Sequence, residues 1–307
     1  MDCKSYLNEK LYVIGVLSNP VKFAKRYQLF QEWMEYMSKN KKIVLYTIEL
    51  QQGCRPFVSD ATFKLRTPDE IWYKENMMNY VLHRLPEEAK YICWCDTDIT
   101  FQREDWAEES ISQLQTYDII QPWSTAIDMG PTGDIMATAR SFCSVWIEEK
   151  KYTTGKYGTY LHPGYVWCAT RSILDRIGSF PDFCILGSSD HHMATAFIGI
   201  VEKGVNKNVP KSYVNKLIGY QERCNVHLKQ NIGFIPGIIH HHFHGSKKRR
   251  KYRERWSILI DNKFDPDIDI YTASNGLLRL SGNKIKLRDE IRDYFRQRNE
   301  DNLCEEC

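Results

Sequence analysis

No run of eighteen or more apolar residues occurs in the 307-residue chain, so no membrane-spanning helix is expected. An excess of charge of one sign is also missing. The 42 Lys and Arg against 39 Asp and Glu leave a net +3, too little to mark the whole chain as a nucleic-acid binder. Internal repeats and low-complexity linkers are absent, which leaves one domain, residues 1–270, with a helical C-terminal extension and tail, 271–307. The start, Met1-Asp2-Cys3-Lys4-Ser5, lacks the apolar core of a secretory leader. The 10 cysteines are therefore expected as reduced thiols in a cytoplasmic setting, that of a host if the source is viral. Cys304 and Cys307 form a Cys-x-x-Cys in an acidic segment without partners nearby, and read as part of a frayed tail.

What is present supports a sizeable core: 42% of residues are hydrophobic and 13% aromatic, with 8 Trp and 18 Tyr. Such rings suit clefts that stack on sugars as well as aromatic cores. Leu11 to Leu17, Ile43 to Leu50 and Tyr91 to Cys95 read as buried strands. Phe23, Tyr27, Phe30, Met34 and Met37 follow helical spacing, as do Met78, Val81, Leu82 and Leu85. Strand, helix, strand, helix, strand in that order predicts a parallel α/β sheet. Further strands are expected at Asp118 to Gln121, Val166 to Thr170 and Ile232 to Ile239. Helices are expected from Asp190, over Lys211 to Gln230, and around Leu287, Ile291, Tyr294 and Phe295. Gly130 to Gly158, rich in Gly, Thr, Ser and Lys, reads as a mobile excursion over the sheet that orders over a bound ligand.

Five segments carry candidate chemistry. In Trp94-Cys95-Asp96-Thr97-Asp98-Ile99, two carboxylates end an apolar strand that Thr100-Phe101 continues. Residues two apart on a strand share a face, so Asp96 and Asp98 are expected to face one hard cation that holds a diphosphate. An acidic turn uses the same letters. His240 to His244 places four imidazoles in five residues. It reads equally as a surface run or as a source of ligands for the same ion, with His241 and His244 favoured. Added imidazole tilts the choice between Mn²⁺ and Mg²⁺ toward Mn²⁺. From Lys247 to Arg255, seven of nine residues are basic. A solvated helix face, a diphosphate grip and a nucleic-acid contact all fit. Leu186-Gly187-Ser188-Ser189-Asp190-His191-His192 reads as an N-cap or as the site of a general base, Asp190. His162-Pro163-Gly164-Tyr165-Val166-Trp167 reads as a core turn or as a surface that stacks on a sugar.

Together these segments resemble the GT-A fold nucleotide-sugar glycosyltransferases, and are similar to a viral, phage and bacterial family akin to the galactosyltransferase-like group. The segments that carry the resemblance are IWYKENMMNYVLHRLPEEAKYICWCDTDITF, HPGYVWCATR, LGSSDHHMA, IPGIIHHHFHGSKKRRKYRER and FDPDIDI, from about Ile71 to Ile270. The resemblance implies a Rossmann-like mixed sheet flanked by helices. It also implies metal-dependent transfer of a hexose or pentose from a nucleoside diphosphate, usually UDP, to an acceptor hydroxyl. Asp96 and mainly Asp98 would carry Mn²⁺ or Mg²⁺, with His241 or His244 as the C-terminal ligand. Asp190 would be the base of an inverting reaction, and Lys74, Glu75 and Asn79 match a donor-side motif.

On this reading the donor pocket draws on Asn19, Arg66, Lys74, Asn79, Asp96, Lys248, Arg250, Tyr252 and Arg255. The acceptor side draws on Trp123, His162, Gly164, Tyr165, Trp167 and His191. The basic run is denser than the family pattern, which raises a polyanionic acceptor, such as hydroxymethylated bases of phage DNA, beside a glycan. A nucleic-acid-binding protein and a metal-dependent phosphohydrolase or nuclease are the alternatives. The oligomeric state is left open.

Overall fold

The sequence LYVIGVLS from Leu11 to Ser18 forms strand β1, whose residues Leu11 to Ile14 are buried on both faces. Such a run suits the middle of a parallel sheet covered on both sides. A computed structural model describes residues 8–153 and 161–302. After β1 come helix α1 (Ala24–Ser38), β2 (Ile43–Gln52), β3 (Phe63–Thr67), α2 (Lys74–Leu82), β4 (Tyr91–Cys95) and β5 (Ile99–Phe101). The middle of the chain supplies α3 (Trp106–Gln113), β6 (Ile119–Gln121), β7 (Thr125–Met129), β8 (Ile135–Arg140), α4 (Phe142–Glu149) and β9 (Val166–Thr170). Then follow α5 (Arg171–Ile177), α6 (Ser189–Phe197), α7 (Val201–Gly204), α8 (Lys211–His227), β10 (Ile232–Phe234) and β11 (Ile238–His241). The chain closes with α9 (Trp256–Asp261), the hairpin β12 (Ile270–Thr272) and β13 (Leu278–Leu280), and α10 (Ile285–Gln297).

Among the described residues, the central sheet runs β10-β6-β9-β4-β1-β2-β3. β1 pairs in parallel with β2 and β4, as the strand–helix alternation predicts, while β9 lies antiparallel between β4 and β6. The expected mixed α/β sheet flanked by helices is therefore what the chain forms. Leu287, Ile291, Tyr294 and Phe295 of α10 are buried in the same apolar cluster as Ile14 of β1 and Met78 of α2. Cys93 and Cys95 are buried free thiols. Among the described residues no helix is long and apolar enough to cross a membrane.

A second sheet, β5-β11-β7-β8, corrects three expectations. The apolar run Ile232 to Ile239 is two strands in two sheets, because Pro236 offers no N–H to continue the ladder and the Gly237 carbonyl turns to accept from Ser124 and Thr125 N–H at the start of β7. Thr100-Phe101 belongs to β5, which pairs antiparallel with β11 rather than extending β4. The start of the Gly130 to Gly158 segment is ordered structure. β7 and β8 form a hairpin in which Gly130 N–H donates to the Asp134 carbonyl at 2.7 Å. Helix α4 then begins where the Ser141 hydroxyl accepts from Ser144 N–H at 3.1 Å. The rest of that segment falls partly on residues 154–160, outside the described residues, as do Cys304 and Cys307.

Between β1 and α1 the packing leaves no room for a methyl group at residue 15. A Cβ on Gly15 would lie 2.3 Å from two ring carbons of Trp33, itself buried. Overpacking a filled core costs about 1–3 kcal/mol. Gly15→Ala is expected to lower unfolding free energy by that amount in chemical denaturation. An unchanged midpoint would show that Trp33 moves aside freely.

Candidate functional site: a carboxylate–imidazole cluster at the edge of two sheets

The second sheet brings together residues that lie far apart in sequence. His241 ends β11, directly across from Asp128 on the parallel strand β7 and from Ile99 on β5. Just beyond, His242 N–H donates to the Asp98 carbonyl at 2.8 Å. These ladder bonds fix Asp98 beside the histidines. His244 Nε2 lies 2.9 Å, and His241 Nε2 3.8 Å, from Asp98 Oδ2. One ligand atom from each of the three residues falls within 4.8 Å of the others.

Each imidazole is backed by a second carboxylate on its other nitrogen. His241 Nδ1 is 2.7 Å from Asp128 Oδ1, and His244 Nδ1 is 3.3 Å from Glu300 Oε2. A carboxylate behind Nδ1 favours the tautomer that leaves the Nε2 lone pair free, as metal-binding histidines require. Asp128 in turn accepts the Tyr165 hydroxyl at 2.9 Å and pairs with Lys247. Glu300 accepts Arg298 Nε at 2.6 Å and pairs with Arg26. Burial pushes the His241 pKa down against the pull of the nearby Asp98 and Asp128 carboxylates. Burial would raise the Asp98 carboxyl, but His241 and His244 outweigh it and hold its pKa well below the usual range. Asp98 Oδ1 is buried without a hydrogen-bond partner among the described residues. A carboxylate with one oxygen against two imidazoles and the other buried and unpartnered among the described residues is a donor set suited to a divalent transition metal.

Asp96 stands apart from this cluster. β4 stops at Cys95, so Asp96 and Asp98 lie on a turn where strand alternation no longer holds. Asp96 is salt-bridged instead to Lys74, the first residue of α2. Burial disfavours the Lys74 ammonium, yet Asp96, Glu75 and Asp190 around it outweigh that and raise its pKa. Both acids still border one cavity of about 620 Å³, which also takes in Asp190, His241 and His244. That volume is within the range of small-molecule sites.

Other expected residues separate into those on this cavity and those elsewhere. Asn19, Lys74, Arg250, Tyr252 and Arg255 line it, as do His162, Gly164, Tyr165 and His191. The Asn19 amide is already spent on the Phe23 backbone, donating at 2.8 Å and accepting at 3.0 Å. His162 stacks on Tyr165 at 4.1 Å, and burial, then Lys247, push its pKa down to about 3. His191 Nε2 lies 3.0 Å from the Tyr152 hydroxyl.

Arg66, Asn79, Lys248, Trp123 and Trp167 do not line the cavity, which corrects their expected roles. Arg66 lies on edge strand β3, binding the Gly53 carbonyl at 3.0 Å with its guanidinium over Phe57. Asn79 clasps the Phe180 backbone, donating at 2.9 Å and accepting at 3.0 Å. Lys248 is exposed on a short 3-10 turn, Lys247–Arg250, so the basic run is not one helix face. Trp123 and Trp167 are core residues whose indoles donate to the Val166 and Pro163 carbonyls.

Asp128, Glu300, Arg26 and Arg298 were not singled out by sequence. Asp128 sits in the stretch just before the supposed excursion. Glu300 sits beside the supposed frayed tail. No local signal marks either, because their partners are 113 and 56 residues away.

No family model matches the sequence, and no curated protein matches it. Among solved structures, the chain is similar to the catalytic domain of Drosophila beta1,4-galactosyltransferase 7 in complex with xylobiose. That match has 10% identity and a TM-score of 0.42, over 92% of this chain and 98% of that one. It is also similar to the mannosyltransferase PcManGT from Pyrobaculum calidifontis in complex with GDP-Man and Mn²⁺. Here identity is 16% and the TM-score 0.37, over 64% of this chain and 56% of that one. A third is glucosyl-3-phosphoglycerate synthase from Mycobacterium tuberculosis, with 10% identity and a TM-score of 0.36, over 78% and 72% of the two chains. At these scores neither activity nor ligand transfers to this chain.

Glu75 gives the site a measurable electrostatic signature. It is 4% exposed and accepts the Trp72 indole N–H at 3.0 Å. Burial pushes its pKa up to about 7. The native state therefore keeps a proton that the unfolded chain releases near pH 4.5, so this carboxyl's contribution to stability is lost as pH rises toward 7. At about 1.4 kcal/mol per unit the loss is of order 3 kcal/mol. Glu75→Gln is expected to be more stable than wild type at pH 8 and to lose that advantage at pH 4.5. Denaturation curves that differ by the same amount at both pH values would contradict this.

Proposed function

We propose that the chain is a metal-dependent glycosyltransferase that moves a sugar from a nucleoside diphosphate sugar, a UDP-sugar, to an acceptor hydroxyl with inversion. The observation that carries this reading is the convergence of His241 and His244 on Asp98 Oδ2, with the second carboxylate oxygen, Oδ1, left without a hydrogen-bond partner among the described residues, at the wall of a ligand-sized cavity. Asp98, His241 and His244 would hold Mn²⁺ or Mg²⁺, with Mn²⁺ favoured by the two nitrogens. Bound there, the cation supplies Lewis acidity that neutralises the diphosphate as the glycosidic bond breaks.

Three guanidiniums are suited to share that charge. Arg250, Arg253 and Arg255 line the cavity, and none has a carboxylate partner among the described residues. Arg255 is positioned by donating to the Tyr294 hydroxyl at 3.1 Å, and Arg250 by the Tyr252 hydroxyl at 3.2 Å. Preorganised cations aimed at a developing diphosphate stabilise the leaving group without reorganisation.

Asp190, in the first turn of α6, accepts the His191 N–H on Oδ1 at 2.8 Å. Its other oxygen, Oδ2, is the one closest to Gly164. That oxygen would take the acceptor proton while the acceptor oxygen forms the new bond to the anomeric carbon. The bond from that carbon to the diphosphate breaks, and the nucleoside diphosphate departs with the electron pair. The acceptor is a glycan hydroxyl in the simplest version. The exposed Lys248, Lys251 and Arg253, close in sequence to the cavity-lining Arg250 and Arg255, favour a second version, a polyanion such as DNA with hydroxymethylated bases.

A thermal-shift screen of nucleotide sugars with and without Mn²⁺ tests the reading. A donor at a hundredfold excess over its Kd stabilises the folded chain by about 2.7 kcal/mol. Wild type is expected to show that shift for a UDP-sugar only with Mn²⁺, and Asp98→Asn to lose it. Asp190→Ala is expected to keep the shift and lose transfer at least a hundredfold. Stabilisation by nucleic acid alone, or phosphate release with no sugar donor, would favour the alternatives over a transferase.

A further inference from the structure

The C-terminal residues after α10 do not trail away from the site. Arg298 and Glu300 line the cavity, and Glu300 is 2% exposed. Arg298 stacks its guanidinium 5.4 Å from the Trp72 ring centroid and donates to Glu300 Oε1. One residue further on, Asp301 accepts the Ala24 and Lys25 backbone N–H groups at 2.9 and 2.8 Å. It thereby caps α1, whose own N-cap, Phe23, makes no side-chain cap bond. Between these two anchors the backbone lies directly on the histidine segment. A Cβ on Gly245 would come 2.8 Å from the Glu300 Cα, and Gly245 has φ +81°, so only glycine serves there.

We propose that residues 298–302 act as a strap that completes the cation site, and that Glu300 is a positioning residue for His244. The proposal rests on the reading that Asp98, His241 and His244 hold a divalent cation. Glu300 Oε2 is the only carboxylate oxygen among the described residues hydrogen-bonded to His244 Nδ1. Accepting the Nδ1 proton, it directs the Nε2 lone pair toward Asp98. Arg250 Nη2 lies 3.0 Å from the same Nε2 and 3.3 Å from Nδ1, and competes for the Nε2 lone pair when no cation is bound. Without Glu300, the ring is free to carry its proton on Nε2 and give it to Asp98 Oδ2, 2.9 Å away, which closes the site to a metal. The strap thereby couples metal binding to the seating of the chain's last described residues on α1. The Asp128–His241 pair does the same work from within the sheet and needs no such strap.

Mn²⁺ binding to the full chain, titrated by electron paramagnetic resonance without donor or acceptor, tests this. Glu300→Gln keeps an oxygen for the Nδ1 proton, Glu300→Asp keeps the charge for Arg26 and Arg298 but withdraws the oxygen, and Glu300→Ala removes both. Losing such a partner weakens metal affinity about 10–100-fold. The expected order of affinity is wild type, then Gln within a fewfold, then Asp, then Ala at least tenfold weaker, with Glu300→Gln and Glu300→Asp melting cooperatively. If Glu300→Ala does not fold, the order of the Gln and Asp variants decides. Asp binding like wild type while Gln binds weakly would mean that Glu300 acts only as a counter-charge, and would overturn the proposal. So would wild-type affinity in all the folded variants. Wild type that takes up no Mn²⁺ would instead remove the cation site itself.

Discussion

The contact on which the site depends is that of Asp98 with two imidazoles, made by a four-stranded sheet that the chain assembles from three distant stretches. A carboxylate taken out of water is costly unless something replaces its hydration. No Lys or Arg forms an ion pair with Asp98 among the described residues, and its nearest charged-capable partners are His241 and His244. Those rings can answer the charge with a proton or stand aside for a cation. The ladder of β11 with β5 and β7, and the His242 to Asp98 backbone bond, hold the three side chains together whichever of these applies. The backbone ladder thus sets the positions of the three side chains, the preorganisation that the proposed cation site would need.

Around that contact the charges are arranged in pairs. Lys247 answers Asp128, Arg26 and Arg298 answer Glu300, and Lys74 answers Asp96. Each pair stabilises a carboxylate that either orients an imidazole or borders the cavity. Of the cations that line the cavity, the three without an acidic partner among the described residues, Arg250, Arg253 and Arg255, all come from the basic run. Two roles are visible in that run. Part of it balances acids of the site, and part faces the space where an anionic ligand fits.

Much of the central sheet was legible because its strands are long or continuously apolar. β1, β2 and β4 and the helices between them read directly from periodicity, and the helical spacing of Leu287, Ile291, Tyr294 and Phe295 gave the buried face of α10. The second sheet was not legible, because its strands are three to six residues long and two of them continue apolar runs that belong elsewhere. Composition misled at β8 and α4, where Gly, Thr and Ser near turns hid a hairpin and a capped helix. It misled again at Trp123 and Trp167, whose indoles are satisfied by backbone carbonyls inside the core. For the site, the clustering of acids and histidines in sequence was informative. Asp128 and Glu300 were not, since only tertiary structure places them behind the rings.

The most direct test of the account is the position of a bound metal. Crystals of the full chain soaked in Mn²⁺ and measured at the manganese absorption edge are predicted to show one strong anomalous peak in contact with the Asp98 carboxylate, His241 Nε2 and His244 Nε2. A peak held by Asp96 without the histidines, or no peak in crystals that bind a nucleotide sugar, would contradict it.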